Sequence, residues 1–230
     1  MDIIRETFQL SEYELVYLTS LIGGAGIPGV SMKLEFASDG DIRNAMNAQQ
    51  RSLENKQLIE IDFDGVAKVN ATLHEFIELA TSSVNYYSQS IELGRRTERE
   101  VFYFAEEPSV FGMHYDEETQ CYIVRKFYSL QEIQVEITER FSLDEGEALV
   151  SESKSSEEVQ EWLVEAIEKD AFLTKLCLFE VSGENSELVS WFAILKEGKQ
   201  LWRIEKDEHE NYDRSLLSLP AAINEIYSWF

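Results

Sequence analysis

The chain carries a faint copy of its own last segment. Ser129–Phe141 aligns without gaps on Ser218–Phe230, an offset of 89 residues, and five of thirteen positions agree: Ser, Leu, Glu, Ile and Phe. Each segment follows a run of short strand-like stretches. A duplicated unit of sheet followed by helix is therefore expected, with the second copy closing the chain. A duplicated α+β body without a catalytic cluster points to a binding scaffold.

The first copy can be read in two ways. Ile133, Val135 and Ile137 alternate as a strand would, whereas Leu130, Ile133, Ile137 and Phe141 form a helical stripe, and Ser129 with Glu132 fits a capping box. We take it as a helix. In the second copy Leu219, Ala222, Ile223, Ile226, Tyr227 and Phe230 share one stripe. Pro220 falls in the first helical turn, where a missing N–H costs nothing.

Ahead of these segments, Ser11 and Glu14 form a capping box before a helix with Leu15, Leu18 and Ile22 inward, stopped at Gly23-Gly24. Ala25 to Gly29 reads as a turn and Val30 to Phe36 as a short strand. A second helix runs from Asp41 to Lys56 with Ile42, Ala45, Met46 and Leu53 inward. Asp64-Gly65 between Leu58–Phe63 and Val66–Asn70 marks a hairpin in which both turn residues need positive φ. Ala71 to Ala80 is a third helix. Val84–Leu93, Glu100–Ala105, Val110–Tyr115 and Cys121–Lys126 read as an antiparallel meander. Ser142–Lys154 is acidic and lacks aromatic residues, so it is the linker. Ser155 and Glu158 cap a helix with Val159, Trp162, Leu163, Ala166 and Ile167 inward. Three strands follow, at Leu173–Val181, Leu188–Leu195 and Leu201–Glu205.

The expected fold class is α+β: a central antiparallel sheet with flanking helices, pseudo-duplicated halves and a winged-helix-like N-terminal segment. The halves are 1–141 and 155–230, joined by the acidic stretch 142–154 in one compact domain. With 44% hydrophobic residues the chain has the apolar content of an ordinary globular core. It has no apolar run of the roughly 18 residues that span a bilayer. The N-terminus lacks the basic start and apolar stretch of a signal peptide, so the expected address is the cytoplasm. Cys121 and Cys177 are expected as buried free thiols.

The formal net charge of -24, from 44 acidic and 20 basic residues, repels nucleic acid and anionic membrane and favours basic partners or plain solubility. A winged-helix segment is therefore expected to serve protein contact, because Asp41–Lys56 is nearly neutral and cannot neutralise phosphate. Gly24 to Gly29 matches G-x-G-x-x-G literally, but a helix precedes it and Pro28 removes an amide donor. Asp62-Phe63-Asp64-Gly65 lacks the further ligands of a calcium loop, with Val66 and Leu73 at the required positions. His74, His114 and His209 share no metal-ligand spacing. No cofactor, metal or catalytic residue is expected. Candidate partner-binding residues are Arg95, Arg96 and Arg99, the only dense basic cluster, placed in a strand-to-strand loop. Trp162, Trp229 and Phe230 join them, Trp229 as an exposed anchor just off its helix stripe.

The order of these features resembles the EspG family, the cytosolic chaperones of type VII (ESX) secretion. The resemblance is clearest over Leu10–Asn70: an apolar helix at Glu14–Ile22, then Ile27-Pro28-Gly29-Val30, a helix at Asp41–Leu53, and the hairpin from Leu58 to Gly65. It extends through the meander and second half and rests on order, not on a signature. The chain departs from the actinobacterial pattern of that family in being Ala-poorer, richer in Lys, Glu and Asn, and shorter, and looks more like a version from low-GC Gram-positive bacteria. The resemblance implies a cytosolic protein that binds a helical secretion substrate, keeping it soluble and export-competent, through the Gly94–Glu100 loop, Trp162, Trp229 and Phe230. The rival expectation is an acidic immunity protein that neutralises a basic toxin by electrostatic complementarity.

Overall fold

The computed structural model describes residues 6–24, 26–30, 38–93, 96–139, 155–169, 171–183, 185–206, 209 and 211–230. Most of the strand expected at Val30–Phe36, and the whole linker Ser142–Lys154, lie outside the described residues. Among those described there are six helices and eleven strands: β1 Thr7–Leu10, α1 Glu12–Ile22, α2 Asp39–Asn55, β2 Ile59–Ile61, β3 Ala67–Val69, α3 Ala71–Ser82, β4 Asn85–Leu93, β5 Arg96–Glu106, β6 Ser109–Asp116, β7 Cys121–Phe127, α4 Leu130–Glu139, α5 Ser156–Glu168, β8 Phe172–Ser182, β9 Asn185–Glu197, β10 Gln200–Lys206, β11 Tyr212–Leu217 and α6 Leu219–Trp229.

From α3 onward the string helix, four strands, helix occurs twice: α3-β4-β5-β6-β7-α4, then α5-β8-β9-β10-β11-α6. The closing helices begin at Leu130 and Leu219, which keeps the 89-residue offset. In α4, Ile133 and Ile137 are buried while Val135 is exposed. That is the helical reading, since alternation would have put all three on one face. The fourth strand of the second copy, β11, completes a set expected to hold three. β1 is likewise a strand the sequence did not announce, with only Phe8 and Leu10 as its buried pair.

Nine strands form a large antiparallel sheet in the order β1-β7-β6-β5-β4-β8-β9-β10-β11, and β2-β3 pair separately. The order is a palindrome of the two copies, β7-β6-β5-β4 and then β8-β9-β10-β11. Two compact units divide the chain. One comprises Met1–Tyr86, Phe102–Tyr128 and Val181–Asn185, the other Tyr87–Val101, Ser129–Glu180 and Ser186–Phe230.

In the first unit Phe76 of α3 packs on Phe104 and Phe111, with ring centroids at 5.9 and 5.5 Å. The Gly-Pro turn after α1 seats against this core. A Cβ at Gly24 would meet Thr81 Cγ2 at 2.5 Å, and Gly29, at φ +82°, lies against the Phe102 ring. Close packing and a left-handed backbone explain these glycines without a nucleotide. In the second unit α4 and α6 pack together, and the Gln134 amide donates to Tyr227 O at 3.1 Å.

Helix α1 has its expected capping box and ends on Gly23 at φ 87°. Helix α2 departs from expectation. Only Leu53 is buried; Ala45 and Met46 are half-buried and Ile42 is 40% exposed. The N-terminal turns of α2 carry their stripe without a complete cover. The β2–β3 hairpin forms, but by a different turn. Gly65 alone has positive φ, and Asp62 Oδ1 accepts from Asp64 N at 3.0 Å and Val66 N at 2.8 Å. A carboxylate closing an Asx-type loop removes the need for two left-handed residues.

Candidate functional site

The candidate basic cluster lies in a strand, not a loop: Arg96 and Arg99 belong to β5, with Arg99 exposed. Arg95 lies outside the described residues. The strand extends further back than Glu100, because β-branched and aromatic residues from Val101 on support a long hairpin arm.

The two tryptophans occupy opposite faces of the β9–β10 pair. Along β10 side chains alternate, so Trp202 and Ile204 face α5 while Arg203 faces α6. Trp162 of α5 is half-buried. It stacks edge-on against Trp202 at 5.4 Å and donates its Nε1 hydrogen to Glu197 Oε2 at 3.2 Å. Arg214 of β11 lies over both indoles, its guanidinium carbon 4.2 Å from the Trp162 ring centre and 4.5 Å from that of Trp202. This assembly lies against the core formed by Ala166, Leu173, Ala193, Leu195 and Ile204.

On the other face Trp229 is half-buried against Phe192 at 4.9 Å, so the exposed position expected for it does not occur. Arg203 lies over the same Phe192 ring at 5.7 Å and pairs with Glu205 and, at 3.3 Å, with Glu225 of α6. Phe230 packs on Tyr87 of β4, centroids 4.8 Å apart. The structure thus brings Phe230 to the strand leading toward the arginines, and sets Trp162 and Trp229 on separate faces. Their first role is packing, as large aromatic rings on amphipathic helices usually provide.

Titratable groups are used structurally. Burial alone would raise the Glu14 carboxyl pKa, but bonds from Lys56 Nζ (2.7 Å), Ser11 N (2.8 Å) and Ser52 Oγ (2.8 Å) more than offset it and hold it below the usual range. Lys56 also donates to Gln9 O at 3.0 Å, so one ion pair ties α1, α2 and β1. Glu75 repeats the device: the opposing effect of burial is outweighed by Lys126 at 2.6 Å and the Ser109 hydroxyl, and its pKa too is lowered. Burial raises the Cys177 thiol pKa. Both cysteines are free, and Cys121, opposite Asp116 at the end of the β6–β7 pair, is only half-buried, not buried as expected. His74 meets Glu78 of its own helix at 3.2 Å. Among the described residues no group of three His, Cys, Asp or Glu side chains could hold a metal, and no helix is long and apolar enough to cross a membrane.

No family model matches the chain, and no curated protein matches it in sequence. Its structure is similar to that of the Mycobacterium tuberculosis type VII secretion system chaperone EspG5, solved in complex with a PE25–PPE41 dimer, with a TM-score of 0.65. The match covers 96% of this chain and 95% of that one at 7% identity. The two share a fold. At so low an identity the likeness is carried by element order and packing, and no EspG5 side chain is transferred to this chain.

Three groups of residues were not singled out from sequence. The Arg214–Trp202 stack needed β11, whose alternation is blurred by Asp213 and Arg214. The Lys56 partner of Glu14 lies 42 residues away and has no local signature. Phe63, at the hairpin tip, was absorbed into the turn motif.

Proposed function

We propose that this protein is a cytosolic chaperone or adaptor of a type VII secretion system, which binds a helical secretion substrate and keeps it soluble and export-competent. The observation that carries the reading is end-to-end fold similarity to a chaperone of that class, spanning 96% of this chain. The repeated element string supports it, since both copies build sheet and helix surface. The composition fits a version from low-GC Gram-positive bacteria. In this reading 1–141 and 155–230 are duplicated halves joined by 142–154. The client contact is made by the β4–β5 arm with Arg95, Arg96 and Arg99, and by the C-terminal Phe230. Trp162 and Trp229, half-buried against Trp202 and Phe192, are proposed to add their exposed edges to this contact. The net charge of -24 favours one alternative, an immunity protein bound to a basic toxin.

The test is affinity purification of the tagged chain from its native cytosol, washed at low and at high salt. A small helical export substrate retained at high salt, and lost on Arg96→Glu/Arg99→Glu replacement, is the expected result. A basic toxin domain released by salt would install the immunity protein, and no bound protein in either wash would overturn both.

A further inference from the structure

We infer that the tip of the β2–β3 hairpin is a docking knob for a protein surface that offers an apolar cup rimmed by lysine or arginine. Phe63 is fully exposed, at 104% of its reference area, and Val66 three residues on is 57% exposed. Among the described large apolar residues the next most exposed is Val84, at 64%. The knob is rigid. Asp62 N donates to Val66 O and Gly65 N to Asp62 O, each at 3.0 Å, and the Asp62 carboxylate holds the amides of Asp64 and Val66. The turn needs Asp62 and Gly65 but has no use for an aromatic ring at position 63. A polar residue would close it equally well.

A ring on a preorganised loop can bury about 150–250 Å² in a partner while ordering little new backbone. Charge selects the partner. Asp62 and Asp64 flank Phe63 in the sequence, and Glu54 and Glu60 line an open groove of about 410 Å³ at the hairpin base together with Lys68. Those carboxylates are repelled by anionic lipid and complement a basic rim. The knob stands in the first unit, whereas the client contact proposed above lies in the second. This inference therefore holds or fails independently of that reading.

The experiment places the photo-crosslinker p-benzoylphenylalanine at position 63 of the full chain in cells, identifies the adduct, and titrates the purified adduct protein with wild type, Phe63→Ser and Asp64→Lys. We expect an adduct mapped to an apolar pocket flanked by Lys or Arg. Phe63→Ser should weaken binding about ten- to a hundredfold with Tm unchanged, as for a buried aromatic anchor. Asp64→Lys, which keeps the backbone turn, should weaken binding and flatten its salt dependence. The inference is overturned by absence of an adduct, or by an adduct protein whose affinity ignores Phe63→Ser. It is equally overturned if Phe63 instead governs binding to vesicles of phosphatidylcholine with phosphatidylserine.

Discussion

Glu14 is the charge on which the N-terminal packing depends. Its side chain is 2% exposed and takes bonds from Lys56, Ser11 and Ser52. Glu14→Ala removes all three, takes the carboxylate from the Ser11 amide and the Ser52 hydroxyl, and leaves Lys56 bonded to Gln9 O. Bonds to a charged group contribute about 1.5–3 kcal/mol each. Lys56 is 38% exposed, so its share belongs at the low end. With all three taken at the low end the sum is roughly 4.5 kcal/mol, in the range for breaking a buried pair. For a chain of this size that is a Tm drop of about 10 °C, read by circular dichroism. Glu14→Gln keeps the shape and one acceptor and should cost about half as much. The pH dependence has a definite sign. A carboxyl held below its unfolded value of about 4.3 contributes fully above that pH and loses the contribution as pH falls through its lower folded value. The stability gap between wild type and Glu14→Gln should therefore be full at neutral pH and close on acidification below about pH 4. A Glu14→Ala cost under about 1 kcal/mol, well below the buried-pair range, or a gap that persists unchanged in acid, would refute the reasoning.

Two further outcomes are expected. Gln57 ends α2 in the left-handed region at φ 59°, with Leu58 N bonded to Leu53 O at 2.9 Å, the position where glycine is usual. Gln57→Gly should raise stability by about 0.5–1 kcal/mol, the left-handed strain less the added chain entropy, seen as a higher urea midpoint at constant m; a lower midpoint would show that Gln57 is not strained. For the thiols, Ellman's reagent should titrate one group in the native state, at Cys121, and reach Cys177 only in denaturant, because burial suppresses the thiolate there. Equal native rates at the two would contradict the packing of β8.

Where local rules decide a conformation, the chain announced its fold. Ser11 with Glu14 and Ser155 with Glu158 capped the helices they were expected to cap. Helix α4 was legible because Val135 falls off the stripe that Ile133 and Ile137 share. What local rules do not fix was missed. β1 is four residues long and is defined by pairing with β7, Phe8 opposite Val124, a partner more than a hundred residues away. β11 owes its place to β10, with Arg214 opposite Ile204. The Asp64-Gly65 pair gave the hairpin but not its turn type, because the side chain of Asp62 could replace a backbone requirement.

The surroundings of the candidate aromatic residues were less legible than the fold for a physical reason. Helical periodicity reports which residues are buried, and tryptophan satisfies that pattern whether it packs or binds. Trp229 was set apart because it falls off the α6 stripe, yet its ring packs on Phe192 and is half-buried. Phe63 had the opposite fate. A complete account of Asp62 and Gly65 as turn residues made the intervening aromatic look explained, although nothing in the turn requires it. A contact residue is better sought as one whose chemistry the local structure leaves unused. By that criterion Phe63 stands ahead of either tryptophan, whose rings are already engaged by Trp202, Arg214 and Phe192.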